Sequence, residues 1–391
     1  MHLSKLCAGV LVFLASSAYA AGNAGHAALA ETVDNAIRPA MQKYDVPGMA
    51  VAVTINGKRH FYNYGIASKD TKRRVTSDTL FEIGSISKTF TATLASYAQV
   101  NGNLALSDHP GDHLPALRGS RLDDATLLDL GTYTPGGLPL QVPDGIDHDE
   151  QLIDYLNAWQ PVHQPGSRRM YSNVSIGLLG MVAATSMQTP FDSAVERTIF
   201  RPLGMRNSYF HVPASKMRDY AQGYSRDDQP IRMRPGVLAP EAYAVKSNAF
   251  DMIRFIEANL RMAKADATLQ RAIDDTHIAY FKSGELVQSL VWEQYPYPTE
   301  LKQLLAGNGN AMVFEANSVA RFSPPLAPQS EVLINKTGST NGFAAYVAFI
   351  PARKLGIVML ANKNFPADAR VTAAHAILAS LATEADAKAK P

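Results

Sequence analysis

The chain has 391 residues, 46% of them hydrophobic, and its 37 basic and 35 acidic side chains leave a formal net charge of +2. A chain of this length can bury a large core and accommodates two domains, or one domain with a large insertion. Because the chain is nearly neutral, it offers no electrostatic basis for binding nucleic acid or a membrane surface, and we expect neither partner.

The first 20 residues, MHLSKLCAGVLVFLASSAYA, have the pattern of a secretory signal peptide. A single Lys5 precedes an apolar run that is too short to span a bilayer, and small residues stand at Ala18 and Ala20. We expect cleavage after Ala20, no membrane anchor in the mature form, and a periplasmic location. Cys7 is the single cysteine of the sequence, so the mature chain is expected to have neither a disulfide nor a thiol nucleophile.

The amino-terminal part of the mature chain predicts a helix followed by a β-hairpin. Apolar residues at helical spacing before Pro47 predict an amphipathic helix. These residues are Leu29, Val33, Ile37 and Met41. Two β-rich runs then flank Asn56-Gly57, a strong signal for a hairpin turn.

The carboxyl-terminal part predicts three strands, at residues 332–338, 343–350 and 355–361, and a helix from Ala369 to Leu381. We therefore expect an α/β (α+β) fold in which both chain ends form one antiparallel sheet flanked by terminal helices. The middle of the chain predicts helices at 88–100, 150–159, 174–186 and 250–263. The expected domains are a discontinuous sheet domain (21–80 and about 205–391) and an inserted, mainly helical domain (about 81–204), with the active site between them.

The ten histidines give no metal-binding pattern, because the sequence has neither HExxH nor HxH. His109 and His113 have the spacing of ligands on one helix, but Pro110 and Gly111 between them are expected to break that helix. We expect no metal site and no cofactor.

Ser85-Ile-Ser-Lys88 is the one S-x-x-K in the chain. At the start of a helix this spacing places both side chains on one face, where an amine can activate a hydroxyl. An ordinary helix N-cap with a solvated lysine has the same sequence, so the motif alone leaves both interpretations open. Ser87 competes for the nucleophile role, but it does not stand three residues before a lysine.

Two further motifs follow in the chain. Lys336-Thr337-Gly338 ends a strand-like run, where it can line a cleft and bind an anion, with the glycine removing a side chain where the ligand approaches. Y-x-N occurs twice. Tyr155 lies in a helical pattern and is expected to be packed, whereas Tyr171 lies in a loop before a helix and is the preferred candidate.

These motifs make the chain resemble the serine β-lactamases and penicillin-binding proteins, whose signature is S-x-x-K, S-D-N and K-T-G. Tyr-Ser-Asn in place of S-D-N is similar to the class C β-lactamases. The resemblance covers essentially the whole mature chain and includes LFEIGSISKTFTATLASYAQ, GTYTPGGLPLQVPD, PGSRRMYSNVSIGLLG, EAYAVKS and INKTGSTNGFAAYVAFIPARKLGIVMLANK. It implies a β-lactamase/transpeptidase-like fold and hydrolysis of cephalosporins and penicillins through an acyl-serine intermediate.

The resemblance also implies roles for individual residues. Ser85 would be the acylated nucleophile, Lys88 and Tyr171 would move its proton, and Lys336 would supply positive charge. The implied substrate-binding residues are Gln141, Asn173, Tyr243, Thr337, Gly338, Ser339, Asn364 and Arg370. In these roles Gln141 and Asn173 hold the substrate's side-chain amide, Tyr243 forms a stacking wall, and the N–H groups of Ser85 and Ser339 form the oxyanion hole. Lys336 and Thr337 face the substrate carboxylate. Asn364 and Arg370 form part of the same side of the site.

One departure concerns the carboxylate side, where Ala367 replaces an asparagine common in class C enzymes. The asparagine's interaction with the carboxylate is expected to be absent or to be rebuilt through Arg370. The sequence leaves open whether Lys88 or Tyr171 is the general base, and Tyr171 is the candidate to orient the hydrolytic water, since no E-x-x-L-N is present.

Other functions on the same scaffold are a D-alanyl-D-alanine peptidase, a carboxylesterase and a non-hydrolysing β-lactam sensor. The preferred β-lactam and the inhibitor profile cannot be derived from the sequence. A monomer is expected, because no heptad pattern is present.

Overall fold

The computed structural model describes residues 27–389, with side chains described as far as residue 383. The predicted signal peptide lies outside the described residues. Within them the helices are α1 (27–43), α2 (Ser87–Val100), α3 (Pro110–His113), α4 (Leu127–Thr132), α5 (Asp149–Ala158), α6 (Asn173–Ser186), α7 (Phe191–Val195, continued by the π-helical Glu196–Phe200), α8 (Ala239–Ala242), α9 (Ala249–Asn259), α10 (Ala267–Asp275), α11 (Leu301–Gly307), α12 (Asn310–Phe314) and α13 (Ala367–Ala389). Turns of 3-10 helix occur at Gly84–Ile86, Pro115–Leu117, Arg121–Asp124, Ala214–Lys216 and Pro351–Arg353.

The strands of the described chain include nine that form one sheet and six short ones that pair outside it. In chain order they are β1 (Gly48–Ile55), β2 (Lys58–Gly65), β3 (Phe81–Glu82), β4 (Arg168–Arg169), β5 (Gly223–Tyr224), β6 (Pro230–Ile231), β7 (Lys246–Ser247), β8 (Ala279–Ser283), β9 (Leu286–Ser289), β10 (Glu293–Pro296), β11 (Asn317–Ser318), β12 (Ala320–Leu326), β13 (Val332–Ser339), β14 (Ala344–Ile350) and β15 (Leu355–Ala361).

The large sheet has the order β12-β8-β9-β10-β13-β14-β15-β1-β2, and every neighbouring pair is antiparallel. The amino-terminal hairpin joins the carboxyl-terminal strands through the pairing of β1 with β15, for example Val51 opposite Met359. The predicted antiparallel sheet from both chain ends is therefore confirmed. Asn56 and Gly57 both have positive φ (52° and 82°), as the two-residue turn requires.

Both faces of the central strands are covered, which explains their continuous apolar sequence. Along β1, Val51 and Val53 pack with the terminal helices α1 and α13, whereas Ala50 and Ala52 belong to the core on the other face. The small residues on this second face leave room for α9, which packs directly on β1 and β15. The sheet thus separates a terminal-helix layer from a helical region.

The helix α2 lies at the centre of the helical region, where it packs against α6, α8 and α10. Its sequence, SKTFTATLASYAQV, is rich in small and threonine side chains, and nearly all of them are buried. The predicted boundary near residue 204 stays a prediction; α8 and α10, which come later in the chain, also pack on this helix.

Three expectations of the sequence need correction. The helix predicted for 250–263 ends at Asn259, because Arg261 has φ of 56° and pairs with Asp274. The break expected at Pro110 and Gly111 leaves only His109 outside the helix: α3 begins at Pro110, because a proline at the first helical position loses no hydrogen bond, and it includes Gly111. The sheet is also larger than predicted, since β8, β9, β10 and β12 extend it.

Within residues 27–389, no single helix is both long and apolar enough to cross a bilayer; α6 and the helix through Phe200 reach that composition only as a pair bent by 76°.

Candidate active site

Ser85 lies in the 3-10 turn that leads into α2, and this turn packs directly against the end of β13. Gly84 has φ of 53°, and a side chain there would place its Cβ 2.5 Å from the backbone nitrogen of Ser339. A Cβ on Gly338 would lie 2.0 Å from the carbonyl oxygen of Ile83. Position 338 must therefore be glycine because the chain at Ile83, just before the 3-10 turn, packs against it. The sequence predicted that this glycine makes space for a ligand, whereas the structure shows that it makes space for the protein's own backbone.

Lys88 lies beneath Ser85 and is fully buried. Its Nζ donates to Ser85 Oγ at 2.9 Å and to the carbonyl oxygen of Ala242 at 2.8 Å. Burial lowers the pKa of Lys88 to about 8, and the positive charge of Lys336 contributes to this shift. The S-x-x-K motif is thus not a solvated helix cap, because the amine is held against the hydroxyl out of water.

The competing hydroxyl of Ser87 points elsewhere. It is buried and accepts a hydrogen bond from the backbone N–H of Val245 at 3.1 Å. Ser87 is also absent from the residues that line the cleft above Ser85.

Tyr171 follows β4 and precedes α6, and its ring lies between two ammonium groups. Lys88 Nζ is 5.2 Å and Lys336 Nζ 5.0 Å from the ring centroid. The Tyr171 hydroxyl is buried without a hydrogen-bond partner within 3.5 Å among the described residues. Burial raises the pKa of Tyr171, but the two lysine charges outweigh it and lower this pKa to about 8. The other Y-x-N tyrosine, Tyr155, is partly buried against the core, as predicted.

Lys336 is 2% exposed and stands on β13, opposite Val347 of β14. Its Nζ donates to the carbonyl oxygen of Thr337 at 3.4 Å and lies 3.6 Å from Glu293 Oε1. A sheet strand at the centre of the fold thus fixes the ammonium group beside Tyr171.

A cleft of about 490 Å³ opens above these residues. Eight of the predicted site residues line it: Ser85, Tyr171, Lys336, Thr337, Gly338, Ser339, Asn364 and Arg370. The structure thus brings together three motifs that are far apart in the sequence.

The remaining predicted residues lie outside the lining of this cleft. Asn173 donates through Nδ2 to Gln141 Oε1 at 2.8 Å, so the two amides proposed to share a ligand already contact each other. The Asn173 Oδ1 atom is buried without a partner among the described residues. Tyr243 directly follows Ala242, the residue whose carbonyl oxygen binds Lys88, and it is partly buried.

Arg370 is 3% exposed and binds the protein itself. Its guanidinium donates to the carbonyl oxygens of Gly338 (2.5 Å) and Ala345 (2.9 Å) and to Ser339 Oγ (3.0 Å). Burial lowers the pKa of Arg370 to about 10. The expectation that Arg370 compensates for the alanine at position 367 is therefore not favoured, because its donors hold the end of β13.

Sequence reasoning missed three charged residues near the site. Arg226, an exposed residue in an irregular loop, lines the cleft together with Ala367. Arg169 and Glu293 also line it and form a buried ion pair at 3.2 Å. Arg169 stands two residues before Tyr171 in the sequence, and this short distance could have marked it as a site residue. No sequence pattern marks Arg226 or Glu293.

No group of three or more histidine, cysteine, aspartate or glutamate side chains in the described part of the chain could hold a metal ion. His113 Nε2 instead contacts Asp108 at 2.9 Å, and His109 Nδ1 contacts the carbonyl oxygen of Ala125 at 3.0 Å.

Comparison with known proteins agrees with this geometry. The Beta-lactamase family model matches residues 33–382, and the chain belongs to this family. A β-lactamase of Lysobacter lactamgenus is 49% identical over 378 residues, which cover 96% of this chain and 98% of the relative.

Two solved structures superpose on most of the chain. A class C β-lactamase in complex with cefoxitin is 49% identical with a TM-score of 0.89, covering 91% of this chain and 99% of the other. A β-lactamase/D-alanine carboxypeptidase from Pseudomonas syringae is 50% identical with a TM-score of 0.89, covering 93% and 100%. The predicted resemblance to the class C β-lactamases and the predicted fold are confirmed.

Proposed function

We propose that this protein is a class C serine β-lactamase that hydrolyses β-lactams through an acyl intermediate on Ser85. The observation that carries the proposal is the 2.9 Å hydrogen bond from Lys88 Nζ to Ser85 Oγ at the edge of the cleft, with Tyr171 held between two lysines. Membership of the β-lactamase family supports the same reaction.

Acylation forms a bond between Ser85 Oγ and the lactam carbonyl carbon. The Ser85 proton passes to unprotonated Lys88 or to the phenolate of Tyr171, and the pKa of each is lowered to about 8. Lys88 contacts Ser85 and lies against the Tyr171 ring, so a proton accepted by either group stays within this cluster. The carbonyl oxygen becomes negative, and the backbone N–H groups of Ser85 and Ser339 stabilise it.

The intermediate collapses when the carbon–nitrogen bond breaks and the ring nitrogen receives the proton that Ser85 lost. Tyr171 delivers this proton, because its hydroxyl faces Ser85 and its pKa is lowered to about 8 by the two lysine charges. Water then attacks the ester carbonyl carbon, gives a proton to Tyr171, and the bond to Ser85 Oγ breaks. Ser85 regains its proton, so the net reaction adds one water molecule across the lactam amide.

The substrate is held from two sides. Lys336 and Thr337 face the carboxylate beside the lactam ring, with Asn364 further along the cleft. Asn173 and Gln141 bind the side-chain amide, and Tyr243 forms the wall next to it. Gly338 and Ser339 place the β13 backbone against the substrate.

The location and assembly of the protein belong to the same proposal. The protein is periplasmic after removal of residues 1–20, and it acts as a monomer without an anchor. The sheet and helical domains meet at the cleft.

A D-alanyl-D-alanine peptidase is the second candidate, because one of the similar solved structures is described as a β-lactamase/D-alanine carboxypeptidase. Both reactions acylate a serine, and they differ in how quickly water releases the acyl group.

The test compares three substrates: a chromogenic cephalosporin, a D-alanyl-D-alanine peptide and a short-chain ester. We expect kcat/KM for the cephalosporin to exceed the other two by at least about 100-fold and to be lost in Ser85→Ala. Preferred turnover of the peptide or the ester would assign one of those functions instead. A persistent adduct without turnover would indicate a sensor.

A further inference from the structure

Behind Lys336 lies a chain of buried charges that the proposed reaction does not yet use. The guanidinium of Arg169 and the ammonium of Lys336 contact the same carboxylate oxygen, Glu293 Oε1, at 3.2 and 3.6 Å. These three residues are 1%, 2% and 5% exposed, for Arg169, Lys336 and Glu293 respectively. One carboxylate therefore lies between two cations that are almost entirely buried at the base of the cleft.

Hydrogen bonds fix Arg169 in this position. Its Nε donates to Gln288 Oε1 at 2.7 Å, and its Nη1 donates to the carbonyl oxygen of Met312 at 2.6 Å. The guanidinium carbon is also 5.3 Å from the centre of the Tyr133 ring and 5.7 Å from that of Tyr171. Arg169 is thus anchored on one side by the protein and borders Tyr171 on the other.

We propose that Arg169 and Glu293 are positioning residues, which hold Lys336 against Tyr171 and set how much positive charge Tyr171 experiences. Charges act strongly over these distances because the pair is buried. A buried ion pair is costly to form, and its position next to the proposed reaction centre favours an electrostatic role for it there. The inference rests on the proposed function, in which Tyr171 exchanges protons.

The charged and titratable groups around Tyr171 come from six elements. They are Ser85 on the 3-10 turn, Lys88 on α2, Tyr133 after α4, Arg169 on β4, Glu293 on β10 and Lys336 on β13. Glu293 is the carboxylate in this set. Its negative charge raises the pKa of Tyr171, in opposition to the two lysines.

The two residues therefore have opposite electrostatic effects. Glu293→Gln removes a negative charge and leaves the positive charges of Lys336 and Arg169 uncompensated, so the phenolate form of Tyr171 is favoured. The acid limb of the pH profile of kcat/KM, where activity rises as the base loses its proton, then moves to lower pH. Arg169→Gln leaves Glu293 to neutralise Lys336, so the acid limb moves to higher pH. We expect shifts of about 0.5–1 pH unit in each direction. The direction is the same whether Lys88 or Tyr171 is the base, because positive charge favours the unprotonated form of both.

The double variant Arg169→Gln/Glu293→Gln removes both members of the Arg169–Glu293 ion pair and keeps the net charge around Lys336 and Tyr171, so Lys336 loses a carboxylate contact and a neighbouring cation together. It is expected to fold even where a single variant does not, and to keep the limb within about 0.3 pH units of wild type, because the opposing effects cancel.

A matched control comes from the β2 edge of the sheet, away from the cleft. Glu257 is 2% exposed and binds Arg59 in an ion pair between α9 and β2, and neither residue lines the cleft. Glu257→Gln is expected to lose stability without moving the acid limb.

The experiment measures the pH profile of kcat/KM for a chromogenic cephalosporin, together with the tyrosinate absorbance of the free enzyme after subtraction of the matching Tyr171→Phe variant. The proposal requires opposite shifts in the two single variants by both readouts. Shifts in the same direction, or none beyond that of Glu257→Gln, would overturn it. If a single variant does not fold, the double variant provides the test. An acid limb of its kcat/KM profile that lies one pH unit or more from that of wild type contradicts the proposal.

The absorbance separates this inference from the proposed function, since it needs no turnover. Absence of β-lactam hydrolysis with opposite absorbance shifts would reject the function and keep the charge arrangement. β-Lactam hydrolysis with a tyrosinate titration that is the same in both single variants and wild type would keep the proposed function and reject the proposed role of Arg169 and Glu293.

Discussion

The cluster beneath Ser85 and the rim of the cleft near Ala367 place their charges in opposite environments. Lys88, Tyr171 and Lys336 are buried, whereas Arg226 is exposed. Charges in the cluster act at low effective dielectric and change each other's pKa, while a charge at the rim is screened by water and salt. The difference indicates that the cluster determines the chemistry and the rim adjusts which substrates bind.

The largest effect is expected from Tyr171→Phe, which keeps the ring between the two lysines and removes only the hydroxyl. Loss of proton transfer should reduce kcat/KM by about 10³-fold, and the acyl adduct should persist longer. Pre-steady-state kinetics with mass spectrometry measure both steps. Tyr155→Phe, in the other Y-x-N, is the control and should stay within about two-fold. If kcat/KM of Tyr171→Phe stayed within a few-fold of wild type, proton transfer would not depend on the Tyr171 hydroxyl.

Arg370→Met tests whether a residue predicted to bind substrate instead supports β13. The change leaves the carbonyl oxygens of Gly338 and Ala345 without their guanidinium donor. The free energy of unfolding should fall by about 1–3 kcal/mol, which denaturant titration measures. An unchanged stability with a raised KM would restore the role that the sequence predicted.

The low pKa of Lys88 and of Tyr171 also makes stability depend on pH. Between about pH 8 and 10 the unfolded chain keeps both protons, whereas the folded protein has released them, so the free energy of unfolding rises with pH. This gain is lost as pH falls through about 8. Relative to Lys88→Met/Tyr171→Phe, wild type should gain about 1.4 kcal/mol per pH unit for each of the two protons, on the order of 5 kcal/mol over this range. Equal pH dependence in denaturant titrations of the two proteins would show that the cluster is not electrostatically perturbed.

The smallest effect is expected at the rim. Arg226→Ala should raise KM for an anionic cephalosporin by about five-fold with little change in kcat or stability, and added salt should reduce the difference. Arg226→Lys, which keeps the charge, is the matched control. A KM that does not depend on the charge at position 226 would mean that the carboxylate is bound by Lys336 and Thr337 without help from the rim.

The sequence was sufficient for the parts of the molecule that regular patterns determine. The Asn56-Gly57 hairpin, the three carboxyl-terminal strands and the amphipathic α1 follow from turn chemistry and apolar periodicity. The nearness of Ser85 and Lys88 follows from helical spacing. Their connection to Tyr171 and Lys336 came from the resemblance to a family, because contacts between distant segments leave no local periodicity.

The remaining features depend on tertiary contacts that the sequence does not show. Arg370 has the expected position, but its donors bind backbone carbonyls that only the folded sheet brings near. Glu293 contacts Arg169 and Lys336 across strands 124 and 43 positions apart in the chain. Strand β12 escaped prediction because its sequence, ARFSPPL, contains two prolines and is largely exposed.

The central claim is that Ser85 carries the acyl group during turnover. Intact-mass spectrometry of wild type quenched at successive times after mixing with a cephalosporin tests it most directly, followed by peptide mapping and repeated with Ser85→Ala. The account predicts a transient adduct on the peptide that contains Ser85, decaying as hydrolysis proceeds, and neither adduct nor turnover in the variant. An adduct mapped to another residue, or hydrolysis that survives in Ser85→Ala, would contradict it.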